Sequence, residues 1–363
     1  MVQQFNTDLL AEDGDRATAR KAFPRIFFAL DNPALRQIFS GHDGRANVSK
    51  TRSRTWGVFA VFLATLALLL AASSDLYENS GETAIRAIAV VGALSGIGSV
   101  VIAVMGVMYR KRKIRWLTDR LATERLRQFH FQQYIAHAAE IVAGGADPAR
   151  AASYLERREI GLEKLKADFL SRLDAEFQAL IEADDFGDGF FFPGKPPPPA
   201  GEASLLEEYF SAYETLRFRR QIDYCNLLLS EKRSLFANAP ARQAKFFAAL
   251  AMLLVLSILL FDAVVFVGAI ADQAWFKQPL VQAAGLWAAF LALAVRTLEE
   301  GFQVEGETAR MRHYRQAINR IYLRFKNATE PEGKIEAMVE LEKTAYDEMV
   351  TFLKSHHEAE FVM

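Results

Sequence analysis

Apolar residues are gathered into four long blocks, and charged residues fill the segments between them. The first block is "WGVFAVFLATLALLLAAS", Trp56 to Ser73, and the second is "AIAVVGALSGIGSVVIAVMGVMY", Ala87 to Tyr109. The third, 246–270, carries a single ionisable residue, Asp262, and the fourth, 280–295, carries none. A bilayer core of about 30 Å takes about 20 mostly apolar helical residues, so the first three predict membrane-spanning helices. The fourth has only about 16 residues and reaches full span by drawing in Pro279 and Arg296 at its edges. A buried helix of a soluble core is its alternative reading. The polar stretch "DQAWFKQPL" between the third and fourth blocks then predicts the outer turn of a hairpin, with Trp275 and Phe276 at the headgroup level.

Whole-chain averages hide this pattern: 363 residues, 51% hydrophobic and a net charge of -1 would suit two ordinary soluble domains. The placement of basic residues is more informative, because cytoplasmic flanks carry the excess of Lys and Arg. Arg45, Lys50, Arg52 and Arg54 precede the first block, and "YRKRKIR" follows the second. Lys232, Arg233, Arg242 and Lys245 precede the third, and Arg296, Arg310 and Arg312 follow the fourth. The two short connections are balanced or acidic. Both termini and the central region are therefore expected in the cytoplasm. No signal peptide is visible at the start, and Cys225 is the sole cysteine, which rules out an intrachain disulfide.

The plan of helix, hairpin and long polar helices occurs twice. After the second block, Asp147 and Pro148 suit the start of a helix; after the fourth, Thr329, Pro331 and Glu332 suit another, with a capping box. Both helices reach an "AEF" near their ends, at Phe177 and Phe361, and a tandem repeat is the expectation. Between the copies "DDFGDGFFFPGKPPPPAGEAS" cannot continue a helix and reads as an extended connector.

Candidate chemistry is sparse. Asp262 lies about eight residues, or roughly 12 Å of helix, inside the outer end of its block, too deep to snorkel. It lines a cation or proton path, or it is a bonded carboxyl meeting an indole such as Trp287. Gly92, Ser95, Gly96, Ser99, Ala103 and Gly106 fall on one helical face and suit close helix packing; pore lining by Ser95 and Ser99 is the other possibility. The basic run Arg110 to Arg115 anchors topology and can attract anionic headgroups. Arg120, Glu124 and Arg127 stand at pairing distances on a helix, which suggests a solvated face or a bundle seam. No phosphate loop, nucleophile motif or metal cluster is present; His356 and His357 are adjacent and face different ways. Neither an enzyme nor a cofactor is expected.

The second unit, "YETLRFRRQIDYCNLLLSEKRSLFANAPARQAKFF" leading into a two-span hairpin and then "ARMRHYRQAINRIYLRF", resembles the SLATT domain of bacterial two-transmembrane effectors. The first unit, through "RWLTDRLATERLRQFHFQ", resembles a related two-span family. The pattern rests on Tyr213, Arg217, Gln221 and Tyr224 before the hairpin and on Arg120, Glu124 and Arg127 after it. The resemblance implies a membrane effector of bacterial conflict systems that perforates or depolarises the membrane on a nucleotide signal.

The expected fold is therefore all-α: an integral membrane protein with four transmembrane helices in two hairpins and a coiled-coil-like cytoplasmic body. Its segments are 1–55 cytoplasmic, 56–109 first hairpin, 110–183 cytoplasmic helices, 184–203 linker, 204–245 cytoplasmic helix, 246–295 second hairpin and 296–363 cytoplasmic helices. The expected role is a homo-oligomeric effector of the bacterial inner membrane, triggered by a nucleotide or a cytoplasmic sensor protein and making no direct contact with nucleic acid. A non-conducting scaffold that recruits a cytoplasmic partner, or a small-ion transporter using Asp262, are the alternatives. Ion flux by the isolated protein separates the scaffold from the other two.

Overall fold

The computed structural model describes residues 7–78, 80–184, 187, 189–194, 196–230 and 240–358, with the backbone alone for 103–112. All regular structure among the described residues is helical. In chain order the helices are α1 (Asp13–Ala22), α2 (Phe27–Leu30), α3 (Pro33–Ala72), α4 (Glu82–Ala136), α5 (Ala138–Gly144), α6 (Pro148–Asp168) and α7 (Leu173–Glu182). They continue with α8 (Ala203–Tyr213), α9 (Arg220–Leu228), α10 (Pro240–Ile270), α11 (Pro279–Phe302), α12 (Val304–Asn327) and α13 (Pro331–Glu358). Four of them are long and apolar enough to cross a membrane, within 27–72, 82–102, 240–270 and 279–327. The fourth apolar block, short by composition, lies in the 24-residue α11, which takes in both Pro279 and Arg296.

The chain forms two compact units. The first is drawn from residues 1–48, 115–229 and 309–357, and the second from 49–114, 230–308 and 358–363. The edges at 55/56 and 109/110 read from the sequence fall inside α3 and α4, which continue through them unbroken. An apolar block ends where composition changes, but a helix ends only where capping or backbone chemistry stops it.

The first unit has a large apolar core. Leu126, Phe131, Tyr134 and Ile135 of α4 meet Tyr209, Phe210 and Tyr213 of α8, Ile318 and Phe325 of α12, and Met338 and Leu341 of α13. Tyr134 and Tyr209 stack at 4.5 Å, and each hydroxyl donates to the other residue's carbonyl at 2.9 Å, so two buried phenols are satisfied without water. At the start of α6 the Asp147 carboxylate accepts from the Ala149 amide at 2.9 Å, with Pro148 in the first turn. Further along α6, Arg158 donates to the carbonyls of Phe28 and Asp31, each at 2.9 Å, and ties that helix to the N-terminal segment. Between α8 and α9 the backbone takes a π-helical turn over Glu214–Arg219.

The described residues of the glycine- and proline-rich segment between α7 and α8 have no regular structure, and part of the segment docks on α4. The Gly189 carbonyl accepts from Arg125 at 2.7 Å and from Gln132 at 3.2 Å, and the Phe191 amide donates back to Gln132 at 2.8 Å. The Arg125 guanidinium lies 3.9 Å from the centre of the Phe191 ring, and Phe192 packs on Phe129. Consecutive phenylalanines supply the apolar area that holds this strap down.

In the second unit the apolar parts of α3 and α4 run antiparallel. Gly92 faces Leu70, Gly96 faces Ala67 and Gly98 faces Leu63. The pair α10 and α11 packs in the same way, with Phe261 over Gly285 and Trp275 folded back over Gly268. Much of the remaining surface is apolar: Met252 is 66% exposed, Leu260 68% and Ile270 72%. A water-soluble monomer rarely carries a continuous apolar surface of this kind.

Candidate functional site

Two groups of polar residues stand out, one in each unit. In the first unit the core contains a cluster of ionisable side chains. Arg217, presented by the π-helical turn, holds Glu342 of α13 in a two-pronged pair at 2.7 and 2.8 Å, and Tyr213 donates to the same carboxylate at 2.8 Å. Glu342 is fully buried and Arg217 is 1% exposed. On α4, Arg127 pairs with Glu124 at 2.7 Å and with Asp8 at 2.8 Å. Arg217 reaches Asp8 at 3.9 Å, and Arg120 pairs with Glu124 at 2.5 Å. The Arg217 guanidinium also lies 4.7 Å from the centre of the Phe131 ring.

Burial favours neutral groups, and nearby opposite charges favour ionised ones. Desolvation raises the Glu124 carboxyl, but Arg120 and Arg127 outweigh it and hold the group at about 2. Desolvation also pushes Asp8 up, and there Arg127 and Arg217 offset it only in part. Beside the cluster, burial lowers His130 to about 3, reinforced by Arg158 and Arg217, so this imidazole is neutral. The cluster ties α4 to the N-terminal turn at Asp8, and the π-helical turn to α13.

A pH prediction follows from these directions. The unfolded chain protonates His130 near pH 6.5 whereas the fold resists until about 3, so the stability tied to this neutral histidine is lost as pH falls through that window. Glu124 adds a loss of the same sign between pH 4.5 and 2, while Asp8 acts in the opposite sense. The slope is about 1.4 kcal/mol per pH unit for each fully linked group. In unfolding measurements on the detergent-solubilised protein, His130→Gln is expected to flatten the fall between pH 6.5 and 4.5. An unchanged slope would exclude His130 as its source.

The seven residues singled out as a pattern in the sequence all lie in the first unit. Arg120, Glu124, Arg127, Tyr213 and Arg217 form or flank the buried cluster. Gln221 accepts from Tyr314 at 3.2 Å, and Tyr224 packs against the core beside Arg120. The solvated-face reading of Arg120, Glu124 and Arg127 gives way to an internal seam. Asp8 and Glu342, the acids that complete it, are absent from the sequence pattern. His356 rests against Trp116 and Phe352, and no group suited to a metal ion occurs among the described residues.

In the second unit Ser95 is buried, and the Ser99 hydroxyl donates to the Ala60 carbonyl at 3.1 Å. Gly92 and Gly96 face α3 as well, so in the single chain this stripe packs against that helix. For Ala103 and Gly106 the backbone alone is described, so their packing lies outside the described residues. Trp287 does not meet Asp262: its indole N–H donates to the Ser73 hydroxyl at 3.0 Å and lies 3.3 Å from the Leu69 carbonyl, at the end of α3. The end of α3 offers acceptors in reach, whereas Asp262 is turned outward. Asp262 is exposed and has no hydrogen bond or ion pair among the described residues. It interrupts an otherwise apolar exposed stripe of Val255, Leu259, Phe266 and Ile270. In comparisons with known proteins, no family model, no curated protein and no solved structure matches this chain.

Proposed function

We propose that the four apolar helices cross a bilayer as two hairpins and that several copies associate through α10. Asp262 then lines a cation path, and the protein depolarises the membrane when a cytoplasmic signal favours the conducting arrangement. Within this reading both termini and the first unit are cytoplasmic, and the setting is a bacterial inner membrane under attack, as the SLATT-like pattern implies.

The observation that carries it is the outward carboxylate on α10. Facing lipid, an aspartate at the centre of a helix costs roughly 2.5–3.5 kcal/mol on insertion scales. Facing a second copy or a water-filled path, it avoids that cost. The stripe of Val255, Leu259, Asp262, Phe266 and Ile270 has spacings of four, three, four and four, close to the heptad rhythm of helices that pack on their own kind. A signal that binds one arrangement better than the other would shift the population toward it.

The test uses the full chain reconstituted in vesicles with an internal cation reporter. Wild type is expected to pass cations, and Asp262→Ala to lower the rate at least tenfold, equivalent to about 1.4 kcal/mol of lost cation stabilisation. Flux that survives in Asp262→Ala would remove this residue from the path. No flux from correctly inserted wild type, with and without cyclic nucleotides, would point instead to a non-conducting scaffold.

A further inference from the structure

The first unit holds a second polar feature, separate from the buried cluster. A cleft of about 660 Å³ opens between α3, α4 and the turn into α7, lined among others by Arg45, Arg115, Thr118, Asp119, Arg172 and Asp174. Its volume falls in the range of small-molecule sites.

Four observations bear on what it takes. Arg45, Arg115 and Arg172 all border it and all are exposed. Asp119 is already paired with Arg45 at 3.0 Å and has the His42 ring at 2.7 Å, so it takes little from the other two arginines. Arg115 makes no ion pair or hydrogen bond among the described residues, and Arg172 bonds only the Asp168 carbonyl of its own turn. The N-terminus of α7 faces the cleft through Leu173, Asp174 and Ala175, and no side chain caps it. Uncapped helix starts present amide hydrogens and a positive dipole end.

The observation that points to a ligand is Thr118. Its residue is 5% exposed, it lines the cleft, and its hydroxyl oxygen has no hydrogen-bond partner. A buried hydroxyl left unbonded costs free energy, and a ligand oxygen in the cleft would remove that cost. Asp174 also lines the cleft and opposes an anion there, against the three arginines.

We infer that this cleft is a phosphate-binding site, with Arg115 and Arg172 pairing the phosphate oxygens, the start of α7 donating amides and Thr118 donating its hydroxyl. Guanidinium groups suit phosphate because they offer two parallel donors. The phosphate can belong to a free molecule or to a lipid headgroup, since Arg115 closes the basic run that follows the second apolar block. The inference does not depend on whether the protein conducts ions.

Hydrogen exchange at the α7 first-turn amides of the full chain distinguishes the sources. One arm adds pyrophosphate to protein in phosphatidylcholine nanodiscs; the other replaces part of that lipid with phosphatidylglycerol. Saturable slowing of exchange is expected in one arm, with the apparent affinity at least tenfold weaker in an Arg115→Gln, Arg172→Gln double variant. Slowing with pyrophosphate assigns a free ligand, and slowing with phosphatidylglycerol alone assigns a headgroup. Exchange unchanged in both arms, or equal slowing in the double variant, would overturn the inference. Both substitutions are at exposed positions, and an unaltered unfolding midpoint confirms that the fold is kept.

Discussion

Glu342→Ala is expected to destabilise the first unit by about 3–5 kcal/mol, the range for removing one partner of a buried pair. The substitution leaves the Arg217 guanidinium in the core facing a cavity, with the Tyr213 hydroxyl stripped of its acceptor on the same carboxylate. Asp8, at 3.9 Å, is already engaged with Arg127 and offers Arg217 little compensation. Replacing both partners at once, as Arg217→Met with Glu342→Leu, is expected to recover most of the loss, because desolvating two charges costs nearly as much as their attraction returns. Denaturant unfolding of the detergent-solubilised protein, followed by hydrogen exchange in α9 and α13, measures all three forms. A double variant no better than the single one would mean that the cluster stabilises the fold beyond its charge balance.

The second large effect is expected at Gly189, where a single methyl group meets two obstacles. Its φ is +67°, a conformation that L side chains rarely adopt, and an added Cβ would lie 2.4 Å from the Tyr346 ring. Backbone strain of about 1–3 kcal/mol adds to about 1–3 kcal/mol of overpacking. Gly189→Ala should therefore release the strap from α4 and α13, exposing Arg125, Gln132 and Phe191 together. Limited proteolysis within 187–199 reads this directly: cleavage becomes fast in the variant and rises less in Gly187→Ala, which shares a left-handed φ of +62° but has open space beside it. Equal cleavage of the two variants would show that the close approach to Tyr346 does not hold the strap.

The apolar blocks were legible because a membrane-length helix leaves a mark on composition. The buried cluster was half legible. Its arginines and tyrosines recur at helical spacing, but spacing alone cannot tell a solvated face from a seam. Glu342 had a signal of its own: Ile335, Met338, Glu342, Ala345 and Met349 follow spacings of three and four, so this glutamate occupies a core position in the rhythm. Asp8 sits in a short 3-10 turn and leaves no periodic trace. The π-helical turn that aims Arg217 is also silent in sequence, since it inserts a residue's worth of backbone without a marker residue. The docking of the strap is not legible in its composition, because glycine and proline dominate it while its phenylalanines do the packing. A firmer register for the repeat is present as well. Glu124, Arg127, His130, Phe131, Gln133 and Ile135 recur at one constant offset as Glu307, Arg310, His313, Tyr314, Gln316 and Ile318. The partners at the matched positions differ: Arg127 pairs with Asp8, and Arg310 with Glu348.

The first unit is stitched from three separate stretches of chain, and this has a consequence for the order of biosynthesis. Arg217 and Glu342 stand 125 residues apart, and α10 and α11 are translated between them. At about 5–20 residues per second, the nascent arginine waits roughly 6–25 s for its counter-charge. The body therefore cannot close until every apolar helix has left the ribosome. Whatever receives those helices handles a chain whose polar half is still unfinished, and a ribosome stalled before α13 would leave that half without its keystone.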